Sequence, residues 1–231
     1  MIILLSGTML WADNTPVWMI PLRDAIYEQQ LNIDGFRRLY NEARTAAQRE
    51  LSGTALDLAL SRCEYLIGRA LQEADRNDEA RTHYNEGLRL AVRALETSPS
   101  AQAWVMRASN LAQLCDLGPW TFTAANGLDV DRFAKNALTF NDRNAAAQYL
   151  VAARWVFAPA PFNNVRRGID MMKAILENSD PEKDDLFLTY SAIGFGYLQR
   201  RQPNDARPWI QRALNIYPTS TFAAELLARA Q

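Results

Sequence analysis

Residues 186–218 read LFLTYSAIGFGYLQRRQPNDARPWIQRALNIYP, and this stretch decides the fold. Tyr190, Ile193, Gly194 and Tyr197 recur at three- and four-residue steps, which places them on one face of a helix over about 186–201. Gly194 is costly inside a helix and is tolerated where a second helix must come close. Arg201-Gln202-Pro203-Asn204-Asp205 then breaks the helix, and Asn204 or Asp205 can cap the next one. A second helix over about 205–216 turns Ala206, Ile210 and Ala213 back toward the first, and Pro218 stops it. A hairpin of this kind cannot bury its apolar faces alone, so neighbours must stack on it.

The same pattern recurs upstream. Between Arg62 and Ala94 it reads Ile67, Gly68, Leu71, Ala80, Tyr84 and Gly87, with Glu64 at the opening position and Val92 where a proline is expected. Ala137–Asp142 ends a helix as Ala213–Pro218 does. Trp104, Ala108 and Leu111 open another hairpin, Val151, Ala152 and Trp155 the next, and a faint copy lies near Tyr27, Phe36, Tyr40 and Ala43. The eight positions filled from Tyr190 to Pro218 resemble the tetratricopeptide repeat (TPR). The resemblance implies an all-α, superhelical solenoid of about five hairpins over 17–231, closed by a capping helix at about 219–230. Copies start about 40–44 residues apart, where the standard repeat is about 34. The excess is assigned to loops at 117–127 and 157–164. This layout is similar to that of bacterial TPR proteins associated with TRAP-type transporters, and to the regulator-of-microtubule-dynamics group.

Composition and charge narrow the function. The chain has 231 residues, 48% of them hydrophobic, which is enough for one sizeable core. No apolar run reaches the ~18 residues that span a bilayer. The formal net charge is −1 without a basic stripe, which argues against nucleic acid as a partner. Cys63 and Cys115 are too far apart in sequence for a CxxC motif, and their places on parallel helices are offset by ~18 Å. They are expected to be buried thiols. His83 stands alone, so no zinc site is expected. No phosphate-binding glycine loop is present, and no cofactor is expected. Asp129-Val130-Asp131 reads as a helix start, and the acid runs 73–78 and 180–185 read as solvated turns. No catalytic constellation emerges, so the chain reads as a binding protein and not an enzyme.

The TPR resemblance implies a concave groove lined by the first helix of each hairpin. Carried over, its residues are Arg62, Tyr65, Arg69 and Gln72, then Gln102, Val105, Ser109 and Ala112. Ala146, Tyr149, Ala153 and Val156 follow, then Leu188, Ser191, Phe195 and Leu198. The carboxylate clamp of chaperone-binding TPRs does not match, because Tyr65 and Arg69 occupy its places. One end of the groove is cationic and the other apolar and aromatic. That suits a protein–protein interaction scaffold whose partner is a peptide or protein edge. The alternative is a small-ligand or lipid carrier working beside a transporter, with Trp120, Phe122, Phe157 and Phe162 closing an apolar pocket. A buried cavity favours the carrier and an open groove favours the scaffold.

Residues 1–12 are apolar and end at Ala12 before Asp13-Asn14. They resemble the tail of a secretory signal and imply export to the periplasm, although a basic n-region is missing and Leu10 is large for its place. The other reading is an apolar arm docked on the first hairpin of a cytoplasmic protein. Mass spectrometry of the native protein is expected to find an N-terminus near Asp13, and an intact Met1 in a cytosolic fraction refutes export.

Overall fold

A computed structural model describes residues 15–231, so the segment at 1–12 and its cleavage after Ala12 lie outside the described residues. The described chain is all-α. Its helices are α1 (Ile20–Glu28), α2 (Ile33–Glu50), α3 (Gly53–Glu73), α4 (Asn77–Thr97), α5 (Ala101–Leu117) and α6 (Trp120–Phe140). They continue as α7 (Ala145–Phe157), α8 (Val165–Asn178), α9 (Lys183–Gln199), α10 (Pro203–Ile216) and α11 (Thr221–Ala228). Local chemistry sets many starts. Asn32, Ser100, Asn144, Asn164 and Ser220 each accept a first-turn backbone N–H in the side chain. Each helix packs on the next in chain order.

The two strongest sequence copies take the same turn. Asp75 and Arg201 both adopt positive φ of 58°. The following residue donates its N–H back into the helix each time, Arg76 to Leu71 and Gln202 to Tyr197, both at 2.9 Å. The glycines sit where helices touch. A Cβ on Gly68 would lie 2.5 Å from the Tyr84 ring, and one on Gly194 would lie 2.5 Å from Ile210 Cγ1. Tyr84 and Ile210 hold the same place in the two copies, so one packing rule serves both hairpins.

Three local expectations are corrected. The stretch 117–127 is not a loop beyond Pro119, because α6 begins at Trp120. Gly118 and Pro119 end α5 with extended backbone, and no breaker follows until the helix is established. Thr123 Oγ1 donates to the Cys115 carbonyl at 2.7 Å and ties the turn. Asp129 and Asp131 therefore lie within α6 and do not start it. Asp131 pairs with Lys135 at 2.7 Å and Arg154 at 3.2 Å. The third correction concerns α10, which starts at Pro203 after Gln202, not at a cap from Asn204 or Asp205. The connection at 158–164 does lie outside helices, and both cysteines are free and buried as expected. No helix among the described residues is long and apolar enough to cross a membrane.

The odd-numbered helices form an inner wall. Helix α1 touches α3, α3 touches α5, α5 touches α7, and α7 touches α9. Helix α1 also touches α9, so this inner wall closes on itself. Tyr27 of α1 stacks on Tyr217 with centroids 5.1 Å apart and leans on Phe187 of α9 at 5.1 Å. Asp24 accepts from Lys183 Nζ and from the Tyr217 hydroxyl, both at 2.8 Å. Burial works to raise the Asp24 pKa, but the bonds from Lys183, Arg23 and Tyr217 outweigh it and hold the carboxyl below its usual range. Gln29 accepts from the backbone and hydroxyl of Thr221, which fastens α1 to the start of α11.

Gly68→Ala and Gly194→Ala are each expected to destabilise by about 1–3 kcal/mol through overpacking. Gly127→Ala in α6 meets nothing closer than 3.9 Å and is expected to stabilise by up to about 1 kcal/mol. Urea melts of the three variants measure the contrast, and equal shifts contradict the close contacts.

Candidate functional site

The inner wall surrounds a cavity of about 420 Å³ that is partly open to solvent, with Arg143 and Asp180 at its rim. Every inner helix contributes to it: Tyr27 from α1, Arg62, Tyr65 and Arg69 from α3, Gln102, Val105, Met106, Ser109 and Gln113 from α5, Ala146 and Tyr149 from α7, and Leu188 from α9. The periodicity accounts for the set on α3. Arg62, Tyr65 and Arg69 step by three and four residues and so share one face.

The expected site residues divide. Arg62, Tyr65, Arg69 and Tyr149 all line the cavity, as do Gln102, Val105, Ser109, Ala146 and Leu188. Gln72 does not. It donates to Asp116 at 2.6 Å and accepts from the Tyr84 hydroxyl at 2.8 Å, which ties α3 to its neighbours. Phe195 is also outside the lining and stacks on Phe157 with centroids 5.3 Å apart. The four aromatics expected to close a pocket lie elsewhere. Trp120 and Phe162 are 77% and 73% exposed, and Phe122 and Phe157 are exposed as well. None of the four lines the cavity. Phe122 is carried on the first turn of α6, and Phe157 is committed to Phe195.

The acid run 180–185 is corrected most. It is a solvated turn only at Asp180, which is 74% exposed at the rim, whereas Glu182, Asp184 and Asp185 face the cavity. Arg62 donates through Nη2 to Glu182 at 3.0 Å and Asp184 at 3.3 Å. Thr15 donates to the same Glu182 carboxylate at 2.8 Å. Burial alone would lower the Arg62 pKa, but the charges of Asp184 and Glu182 outweigh it and raise it. Burial also raises Asp184, and Arg62 offsets only part of that effect. Asp185 is pushed up to about 8, first by burial and then by the Asp184 charge beside it. Burial raises the Tyr149 phenol as well. No signal in the local sequence marks these acids, since their partner Arg62 is about 120 residues away.

A second polar cluster lies between α2, α3 and α4, outside the cavity. Buried Glu64 accepts from the Tyr40 hydroxyl at 2.6 Å, and its other oxygen lies 2.6 Å from His83 Nδ1. The glutamate that departs from the repeat pattern is thus fully partnered. Among the described residues no group of three or more His, Cys, Asp or Glu is placed to hold a metal ion. Compared with known proteins, the chain matches no family model and no curated protein.

Arg62→Ala leaves the half-buried Glu182 and Asp184 without their cation, and is expected to cost about 1–3 kcal/mol in a denaturant melt. Asp185 is protonated in the folded chain where the unfolded chain has lost its proton. Its contribution to stability therefore falls as pH rises from about 4 to about 8. Asp185→Asn keeps an oxygen for the Glu182 N–H and is expected to flatten melting temperature against pH across that window. An unchanged slope shows that Asp185 ionises normally.

Proposed function

We propose that this protein is a binding protein that holds a small molecule inside its ring of inner helices. The observation that carries this reading is the cavity of about 420 Å³, which falls in the size range of small-ligand sites. Tyr27, Phe187 and Tyr217 join α1 to α9 as one aromatic cluster, which completes the wall around the cavity. The lining mixes charged, amide and hydroxyl groups with Val105, Met106 and Leu188, which favours a small polar ligand over a lipid chain. The hairpins are read as TPR-derived, supported by the matching turns at Asp75 and Arg201 and the matching glycine contacts. On this reading the chain is a helical carrier of the kind that works beside a transporter, and its export rests on the apolar segment before Asp13 alone.

A scaffold that docks another protein is the second reading. Trp120, Leu128, Phe140 and Phe162 favour it, as large apolar side chains held at the surface.

The test is native mass spectrometry of the protein taken from its own cells. The wild type is expected to carry a small molecule, and Ala146→Phe, which fills the cavity from α7, is expected to lose it while keeping its helical circular dichroism. A protein free of small molecules, which retains a protein partner equally well in Ala146→Phe, establishes the scaffold instead.

A further inference from the structure

The charges around the cavity do not all have partners of equal quality. Arg62 is taken up by Glu182 and Asp184, and Arg143 by Asp180 at 2.8 Å. Asp184 keeps its buried Oδ1 without a hydrogen-bond partner, and two further ionisable groups have few partners. Arg69 has two long contacts, 3.3 Å to the Tyr65 hydroxyl and 3.5 Å to Glu73. Glu73 is already shared, since it accepts from Gln29 at 3.0 Å. A guanidinium carries five N–H donors, so most of this fork is unspent. Across the cavity, the Asp185 carboxyl accepts one hydrogen bond, from the Glu182 backbone N–H at 3.0 Å. A carboxylate can accept about four. Tyr149 lines the cavity and interacts electrostatically with both Arg69 and Asp185.

We propose that the cavity recognises a small zwitterion of the amino-acid or dipeptide class, its carboxylate on Arg69 and its ammonium on Asp185. This rests on the small-ligand reading above. The planar fork of Arg69 suits a carboxylate, which it can hold through two parallel bonds. An ammonium has three donors to offer Asp185 and brings the positive charge that lets its carboxyl ionise. The cavity of about 420 Å³ limits the ligand to a small molecule. Val105, Met106 and Leu188 offer the ligand's side chain an apolar wall.

The protonation of Asp185 gives an independent signature. Its pKa of about 8 leaves it mostly neutral at pH 7. Around it stand Arg62, Glu182 and Asp184, with Tyr27, Tyr65, Arg69 and Tyr149 on the other cavity helices and Arg143 paired to Asp180 at the rim. Arrival of an ammonium draws the Asp185 proton off, so binding at pH 7 releases close to one proton.

The experiment is a thermal-shift screen of full-length protein at pH 7 against the twenty α-amino acids and the twenty Ala-X dipeptides. At least one is expected to raise the melting temperature, and calorimetry then gives its affinity. Acetylating its amine or amidating its carboxylate is expected to weaken binding tenfold or more. In Asp185→Asn the free and acetylated forms should bind alike, and in Arg69→Gln the free and amidated forms should bind alike. Binding heats in buffers of different ionisation enthalpy should report the released proton in the wild type and none in Asp185→Asn. The proposal is overturned if no compound raises the melting temperature, or if the best one keeps its affinity with either end blocked. Should cellular protein carry a small molecule without both charges, this ligand class fails and the small-ligand reading stands. Should it carry none, and no compound bind, both fail.

Discussion

The ring depends on the seam where α1 meets α9 and the C-terminal helices. Tyr27, Phe187 and Tyr217 meet there as one aromatic cluster, each ring within about 5 Å of the other two. Offset and edge-on arrangements of this kind add about 0.5–1.5 kcal/mol per pair beyond the area they bury. Asp24 reinforces the seam from three sides through Lys183, Tyr217 and Arg23. The Lys183 and Tyr217 contacts join parts of the chain that a stack of hairpins would otherwise leave at opposite ends. Neighbour-only packing would let repeats be added or removed without changing the rest. A closed circle fixes their number, because the last hairpin must arrive where α1 waits.

Closure also decides the electrostatics. In an open groove the acids at 180–185 and the arginines of α3 would sit in water, where such pairs are worth little. Brought together around a small cavity, Arg62, Glu182 and Asp184 lose much of their hydration, and their charges act over short distances at lower dielectric, while Asp180 stays solvated at the rim. Arg62 answers this by holding Glu182 and Asp184 together. Asp185, left beside Asp184 without a cation of its own, answers it by keeping its proton. The same constraint makes this wall demanding to fold. Charges left incompletely matched in the protein are the ones a ligand can complete.

Glycine and polar substitutions show how the repeat pattern bends to local needs. Gly68 and Gly194 occur where Tyr84 and Ile210 press against the backbone, so both positions follow the pattern. Glu64 breaks it, because Tyr40 and His83 from flanking helices already supply its partners. Asn110 is satisfied in part, as its Nδ2 donates to the Met106 carbonyl and to Ser61, which itself donates to the Gly87 carbonyl, while its Oδ1 packs on Gly87 without a hydrogen-bond partner. Buried polar groups of this type are kept where several helices satisfy them jointly.

The sequence by itself determined the helices, their order and much of the inner face. The resemblance to the repeat implied Arg62, Tyr65, Arg69 and Tyr149 for the inner face, and the helix period keeps the three on α3 on one side. Local signals were less certain where a breaker and a helix start adjoin. Gly118 and Pro119 were read as part of a long loop, yet Pro119 leads directly into α6. Only the tertiary structure decided that the wall closes, that α1 completes it, and that the acids before α9 face inward. Those outcomes rest on contacts between Tyr27 and Tyr217, and between Arg62 and Glu182, which no periodicity encodes. It also sent Phe195 to Phe157 and left Trp120 in solvent, because the curvature of the whole ring sets which side of each helix meets the cavity.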